Sequence, residues 1–158
     1  MAARMSNPAA WVIPGASEAL QALNAATEGG GVPASTLALA HLRASQINGC
    51  NACIAGGCYM ARQAGETDER LAAVAEWREA PAFTAAERAA LALTEAATRL
   101  ADREDPVPDA IWDEAARHYD ERALATLLLT IALANFYNRL NVPTRQEAVN
   151  WGEAANWG

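Results

Sequence analysis

Lysine is absent from this chain, so all 12 basic side chains are arginine, set against 19 acidic ones for a formal charge of −7. No basic stripe remains to neutralise phosphates, which excludes nucleic-acid binding, and the acidic balance serves solubility. Aromatic residues make up only 6% of the chain and β-branched runs are scarce, so strand signals are nearly missing. No apolar run is expected to approach the length that spans a bilayer. The opening MAARMSNPAAWVIPGAS lacks an apolar core flanked by a basic start and a cleavage site, so a cytoplasmic protein away from membranes is expected. Three cysteines form an odd set, which argues against a structural disulfide framework. Beyond two closely spaced cysteines, a four-ligand zinc site could draw only on one further cysteine and two distant histidines, His41 and His118, so neither a metal nor another cofactor is expected.

What the chain has in quantity is alanine and leucine. Residues 1–158 are 52% hydrophobic, enough for one domain with a real core, and this composition favours helices. The fold expected is all-α: a compact bundle of six to seven helices over 15–146, with an N-terminal arm over 1–14 and a tail over 147–158. A first helix is expected from Ala16 to Thr27, stopped by Gly29-Gly30-Gly31, and Pro33 and Ser35 open the second. Leu37, Leu39, Leu42 and Ile47 cover more than one face of that second helix, which suits a central position. A third helix runs from Cys50 to Gln63 before Gly65, and a short one from Thr67 or Asp68 to Trp77. Thr84-x-x-Glu87 is a capping-box pattern opening a helix to Ala101, and Pro108 opens another to Tyr119. Asp120 caps a last helix, apolar all round from Leu124 to Phe136, that ends at Asn141-Val-Pro-Thr. Its breadth of apolar surface predicts a subunit interface and a homo-oligomer. The tail carries NWG twice, at Asn150 and Asn156, too few copies for a repeat architecture.

The chemistry concentrates between Ala40 and Gly65, where all three cysteines fall and two are spaced Cys50-x-x-Cys53. Asn48-Gly49 is a natural break, so Cys50 begins a new helix, where free N–H groups and the helix dipole lower a thiol's pKa. Three residues apart on one helix share a face, which lets the two sulfurs form and reopen a disulfide. The plain alternative is that these cysteines are inert, small, buried hydrophobes.

The run LRASQINGC-x-x-C, with ARQAGETDERLAAVAEWREAPAFTAAERAALALTEAAT after it, resembles the carboxymuconolactone decarboxylase-like family, specifically its alkylhydroperoxidase D-like branch. The resemblance covers about Val32 to Gln146. It implies an all-helical homo-oligomer that reduces a small hydroperoxide at its CxxC, with a dithiol reductant regenerating it. It also implies that Cys53 attacks the peroxide and Cys50 resolves it.

Two positions depart from the family pattern. That pattern reads glutamate, eleven residues, Cys-x-x-Cys, three residues, histidine, and the two flanking groups relay protons. Here those positions are Ala38 and Gly57. General acid–base help is worth about 10²–10⁴-fold, so a weakened or altered peroxidase is expected. Ala55-Gly56-Gly57 inside a helix, facing Ala38 and Ala40, predicts either close helix contact or a small-residue pocket with Cys58 exposed to it. His41, one turn from Ala38, is the nearest replacement base, although a histidine bonded to backbone is the plainer reading. Glu95, flanked by apolar residues, is a further candidate that is more commonly an arginine partner. A non-catalytic oligomeric scaffold binding an apolar ligand, and the lactone decarboxylation that names the wider family, are the alternatives.

Overall fold

The computed structural model describes residues 2–148, so the NWG tail lies outside the described residues. Among those residues all regular structure is helical: α1 (Ala9–Val12), α2 (Ala16–Ala26), α3 (Ala34–Ile47), α4 (Asn51–Gln63), α5 (Asp68–Ala73) running into a 3-10 turn (Val74–Glu76), α6 (Ala85–Thr98), α7 (Asp109–His118) and α8 (Glu121–Thr144). The count is eight rather than six to seven, because the arm folds its own short helix. Ala10 of α1 buries against Leu20 and Leu133, and the Arg4 N–H donates to the Thr144 carbonyl at 2.8 Å.

The helix starts follow from their caps. Thr84 Oγ1 accepts the Glu87 N–H at 3.2 Å while the Glu87 carboxylate accepts the Thr84 N–H at 2.8 Å, the reciprocal bonds of a capping box. Asp120 Oδ1 accepts from Ala123 N at 2.9 Å and so opens α8. The ends differ by a few residues from expectation. Helix α6 stops at Thr98, since Arg99 leaves helical geometry, and α8 continues through Pro143, whose missing N–H costs one bond in a last turn.

Helix α3 is the central element, and its two sides feed separate cores. Leu39 and Leu42 pack with Ala61 of α4, Leu71 of α5, Val74, Trp77, Phe83 and Leu91 of α6. Ala40, on the other side, joins Leu93 of α6, Tyr119 after α7, and Leu124, Leu127 and Ile131 of α8. Helix α8 has one window that by length and mean hydropathy, 1.3, would suffice to cross a membrane, so the expectation that no run approaches that length is corrected. Half of that window is buried within the bundle. It also carries Asn135 and Asn138, both buried and both hydrogen-bonded inside the fold.

Charge gathers around a buried carboxylate of α6. Glu95 of α6 accepts from Arg43 of α3 at 2.7 Å, from the Trp77 indole at 3.0 Å and from Arg78 at 2.6 Å. Burial pushes its pKa up, but the bonds from Arg78, Trp77 and Arg43 outweigh this and hold it at about 2. A carboxylate whose folded pKa lies below its ordinary 4.5 contributes stability that is complete above that value and is lost as pH falls through about 2. Glu95→Gln should therefore destabilise the fold by about 3 kcal/mol at neutral pH, the scale of breaking a buried pair. The gap to the parent should narrow as the pH of urea unfolding is stepped down from 4.5 towards 2. A gap that does not change with pH would refute the pinning of this carboxylate.

Candidate active site

The site is built at the corner between α3 and α4. Gly49 takes a φ of +66°, the left-handed conformation that glycine adopts without steric cost. Its N–H bonds to the Gln46 carbonyl at 3.2 Å and the Cys50 N–H bonds to the Ser45 carbonyl at 3.0 Å. This paired closure is a Schellman motif, and it delivers Cys50 at a fixed position as the N-cap of α4. The Cys50 sulfur accepts the Cys53 N–H at 3.3 Å. Cys50 and Cys53 are joined as a disulfide, with their Cα atoms 5.2 Å apart. Both are buried, at 2% and 6% exposure.

A network of amides anchors this corner to α8. The Asn48 side chain donates to Asn135 Oδ1 at 2.9 Å and to Asn138 Oδ1 at 2.8 Å. Asn138 in turn donates to Ser45 Oγ at 3.1 Å, and Asn135 to Thr98 Oγ1 at 3.2 Å. One turn further along α8, Asn141 Nδ2 lies 3.4 Å from the Cys53 sulfur. Tyr137 packs on Cys50, Ala52 and Cys53, and its hydroxyl accepts from Asn24 of α2 at 2.8 Å.

His41 supplies the other side. A Cβ placed on Gly57 would come 2.9 Å from His41 Cδ2 and 3.5 Å from Nε2, so the imidazole fills the volume that glycine leaves open. Of the two outcomes expected for the small residues, close contact or a pocket, Gly57 shows contact, with a ring from the neighbouring helix against it. Burial drives the His41 pKa below its ordinary value, and a hydrogen bond with the Cys53 backbone opposes this only partly. The ring is neutral at neutral pH and able to take a proton.

The remaining candidates lie elsewhere. Ala38 and Cys58 flank the core formed by Leu39, Leu42 and Leu91. Cys58 is a free, half-buried thiol whose pKa is raised by burial, with Arg62 pulling it down and Asp68 pushing it up. Such a thiol is a poor nucleophile at neutral pH. Glu95 is held by arginines and Trp77, and as a stable carboxylate it has no proton to donate. His118 faces Glu114 at 3.2 Å on α7. Among the described residues, no three His, Cys, Asp or Glu side chains are grouped to hold a metal ion. Sequence reasoning missed Asn141, Tyr137 and the amide network. Their signal was present as Asn135-x-x-Asn138-x-x-Asn141, a polar stripe at one-face spacing on an otherwise apolar helix.

Comparison with known proteins fits this architecture. Residues 14–96 match the model of the carboxymuconolactone decarboxylase family. The uncharacterised protein YdfG of Bacillus subtilis is 34% identical over 115 residues, covering 73% of this chain and 77% of YdfG. A crystal structure from Agrobacterium tumefaciens, of a protein of unknown function named as a candidate AhpD antioxidant-defence protein, superposes with a TM-score of 0.84 at 28% identity. The match covers 94% of this chain and 99% of that one. The debrominase Bmp8 shares the fold, with a TM-score of 0.76 at 23% identity over 89% of this chain and 75% of that one. With its helical bundle and its disulfide-bonded Cys50–Cys53 pair, the chain belongs to the carboxymuconolactone decarboxylase family, in its alkylhydroperoxidase D-like branch.

Proposed function

We propose that the protein is a thiol-dependent hydroperoxide reductase in which Cys53 attacks the peroxide, Cys50 resolves the product and His41 manages the proton. The observation that carries this reading is the imidazole of His41, seated against the Cys53 turn in the volume left by Gly57. The Cys53 thiolate would attack one peroxide oxygen, forming an S–O bond as the O–O bond breaks, and the leaving oxygen takes a proton to depart as an alcohol or water. The sulfenic acid so formed is attacked by Cys50, the S–S bond closes and water leaves. A dithiol reductant then supplies the two electrons and two protons that reopen the disulfide.

In this reading His41 replaces a base that would otherwise stand at Gly57, and the glutamate position stays vacant at Ala38. Turnover is expected to be weaker than with a two-group relay, since one neutral imidazole both accepts and returns the proton. The alternative of an apolar ligand pocket beside the cysteines has less support, because the imidazole fills the space at Gly57. Assembly into a homo-oligomer is supported by apolar surface that a single chain leaves uncovered: Phe136 on α8 is 48% exposed and Trp11 in α1 is 60% exposed, with Val12 and Ile13 beside it.

Three measurements test these proposals. The reduced protein should lose two thiols to one equivalent of hydroperoxide, with peptide mass spectrometry placing the bridge between Cys50 and Cys53. Loss of Cys58 instead, or no loss, would overturn the redox assignment. Gly57→Ala should press the His41 ring out of place and lower steady-state peroxide consumption with a dithiol reductant by about tenfold, within the range of acid–base help. Adding His41→Ala to Gly57→Ala should then cost little more, because the two changes act on one contact. Unchanged rates in Gly57→Ala would show that His41 is catalytically silent. Light scattering at micromolar concentration should give a multiple of the 16.7 kDa chain, and Phe136→Glu should reduce it. A monomer in the parent would end the oligomer proposal.

A further inference from the structure

We propose that Asn141 is a catalytic residue of this site: its side-chain amide, held 3.4 Å from the Cys53 sulfur, stabilises that sulfur as a thiolate once the disulfide has been opened. The inference rests on the reading of Cys53 as the reacting thiol, and it explains how that choice between two neighbouring sulfurs is made.

The helix start alone favours the other cysteine. Cys50 is the N-cap of α4, and its sulfur already accepts the Cys53 N–H at 3.3 Å, so the unpaired N–H groups of the first turn stabilise negative charge at Cys50. Cys53 lies three residues further in, where its own N–H is taken by Cys50 and the Ile54 N–H is bonded to the Cys50 carbonyl at 2.8 Å. To carry the charge it needs a donor from outside α4, and Asn141 of α8 provides one. A thiolate is only an acceptor, so the NH₂ edge of the amide is the edge it selects. A bond that is weak to a neutral disulfide sulfur becomes charge-assisted, and roughly twice as strong, when the sulfur ionises.

The helix that carries this amide is held in place by bonds on either side of it. Asn135 and Asn138, on the same face of α8, are locked to Asn48, Ser45 and Thr98, which fixes the rotation of the helix about its axis. The Asn141 carbonyl accepts the Gln146 N–H at 3.0 Å and the Thr144 hydroxyl at 3.2 Å, which fixes the helix end. Among the described residues, the titratable groups set against Cys53 are His41 from α3, Tyr137 from α8 and Cys50 itself, and the Arg139 guanidinium donates to Asn135 Oδ1 at 3.3 Å. The step is an ionisation: the S–H bond of Cys53 breaks, the electron pair stays on sulfur and the proton leaves to His41 or to water. No oxidant or reductant is consumed.

The test is the pH dependence of iodoacetamide alkylation of the reduced full chain, read by peptide mass spectrometry so that Cys50, Cys53 and Cys58 are scored separately. Asn141→Leu should slow alkylation of Cys53 at neutral pH about tenfold and move its midpoint upward, the scale of one hydrogen bond to a charged group. Asn141→Asp keeps the shape but sets a carboxylate against the sulfur, and should slow it further. The Cys50 midpoint should stay or fall. If both folded variants titrate at Cys53 as the parent does, or if Cys50 ionises first in the parent, the inference is overturned. The outcome is separable from that of the proposed function. A Cys53 titration that depends on Asn141 in a protein inert to peroxide would retain the inference and discard the peroxidase. Peroxide reduction at Cys53 with a titration indifferent to Asn141 would do the reverse.

Discussion

The Schellman closure at Gly49, clamped by the side chain of Asn48, is the constraint on which the thiol geometry depends. Cys50 is an N-cap only because α3 ends where it does and the chain turns through a left-handed residue. Asn48 then spends both hydrogens of its amide nitrogen on Asn135 and Asn138 of α8. Removing any one member would leave its partners buried and unsatisfied, a loss of about 1–3 kcal/mol per group, so the corner and α8 behave as one unit. The sulfurs inherit that rigidity, and so do the groups around them.

Polar function is divided between the two sides of α3. Arg43 points to Glu95, where a buried carboxylate gathers cations and stays ionised. His41 and Asn48 instead face the thiol corner, which holds amides, a phenol and a neutral imidazole. Cys58 is on the same helix as Cys53, yet it flanks the core around Leu39 and Leu42, and burial there raises its pKa.

Gly57 illustrates how a local penalty is offset by a contact across helices. A glycine in mid-helix costs roughly 1 kcal/mol relative to alanine, and nothing within α4 repays it. The return comes from α3, because only a residue without Cβ admits the His41 ring against the Cys53 turn. On this view Gly57 makes room for an imidazole carried by another helix.

The sequence by itself determined the elements that depend on local physics. Thr84 with Glu87, Asp120, Gly49 and Gly65 each mark a helix end through caps and backbone conformation that need no distant partner. The two-sided apolar pattern of α3 likewise announced a central helix, and Cys50-x-x-Cys53 announced a disulfide within one turn. Tertiary structure decided the rest. Whether the volume at Gly57 is a pocket or is filled depends on where α3 sends His41, and that is fixed by packing between residues sixteen positions apart. Asn141 meets Cys53 across 88 positions, from a helix face that the rotation of α8 presents to α4. Periodicity records which residues share a face of one helix, but not which face of another helix will stand opposite, and the chemistry of this site is made of such meetings.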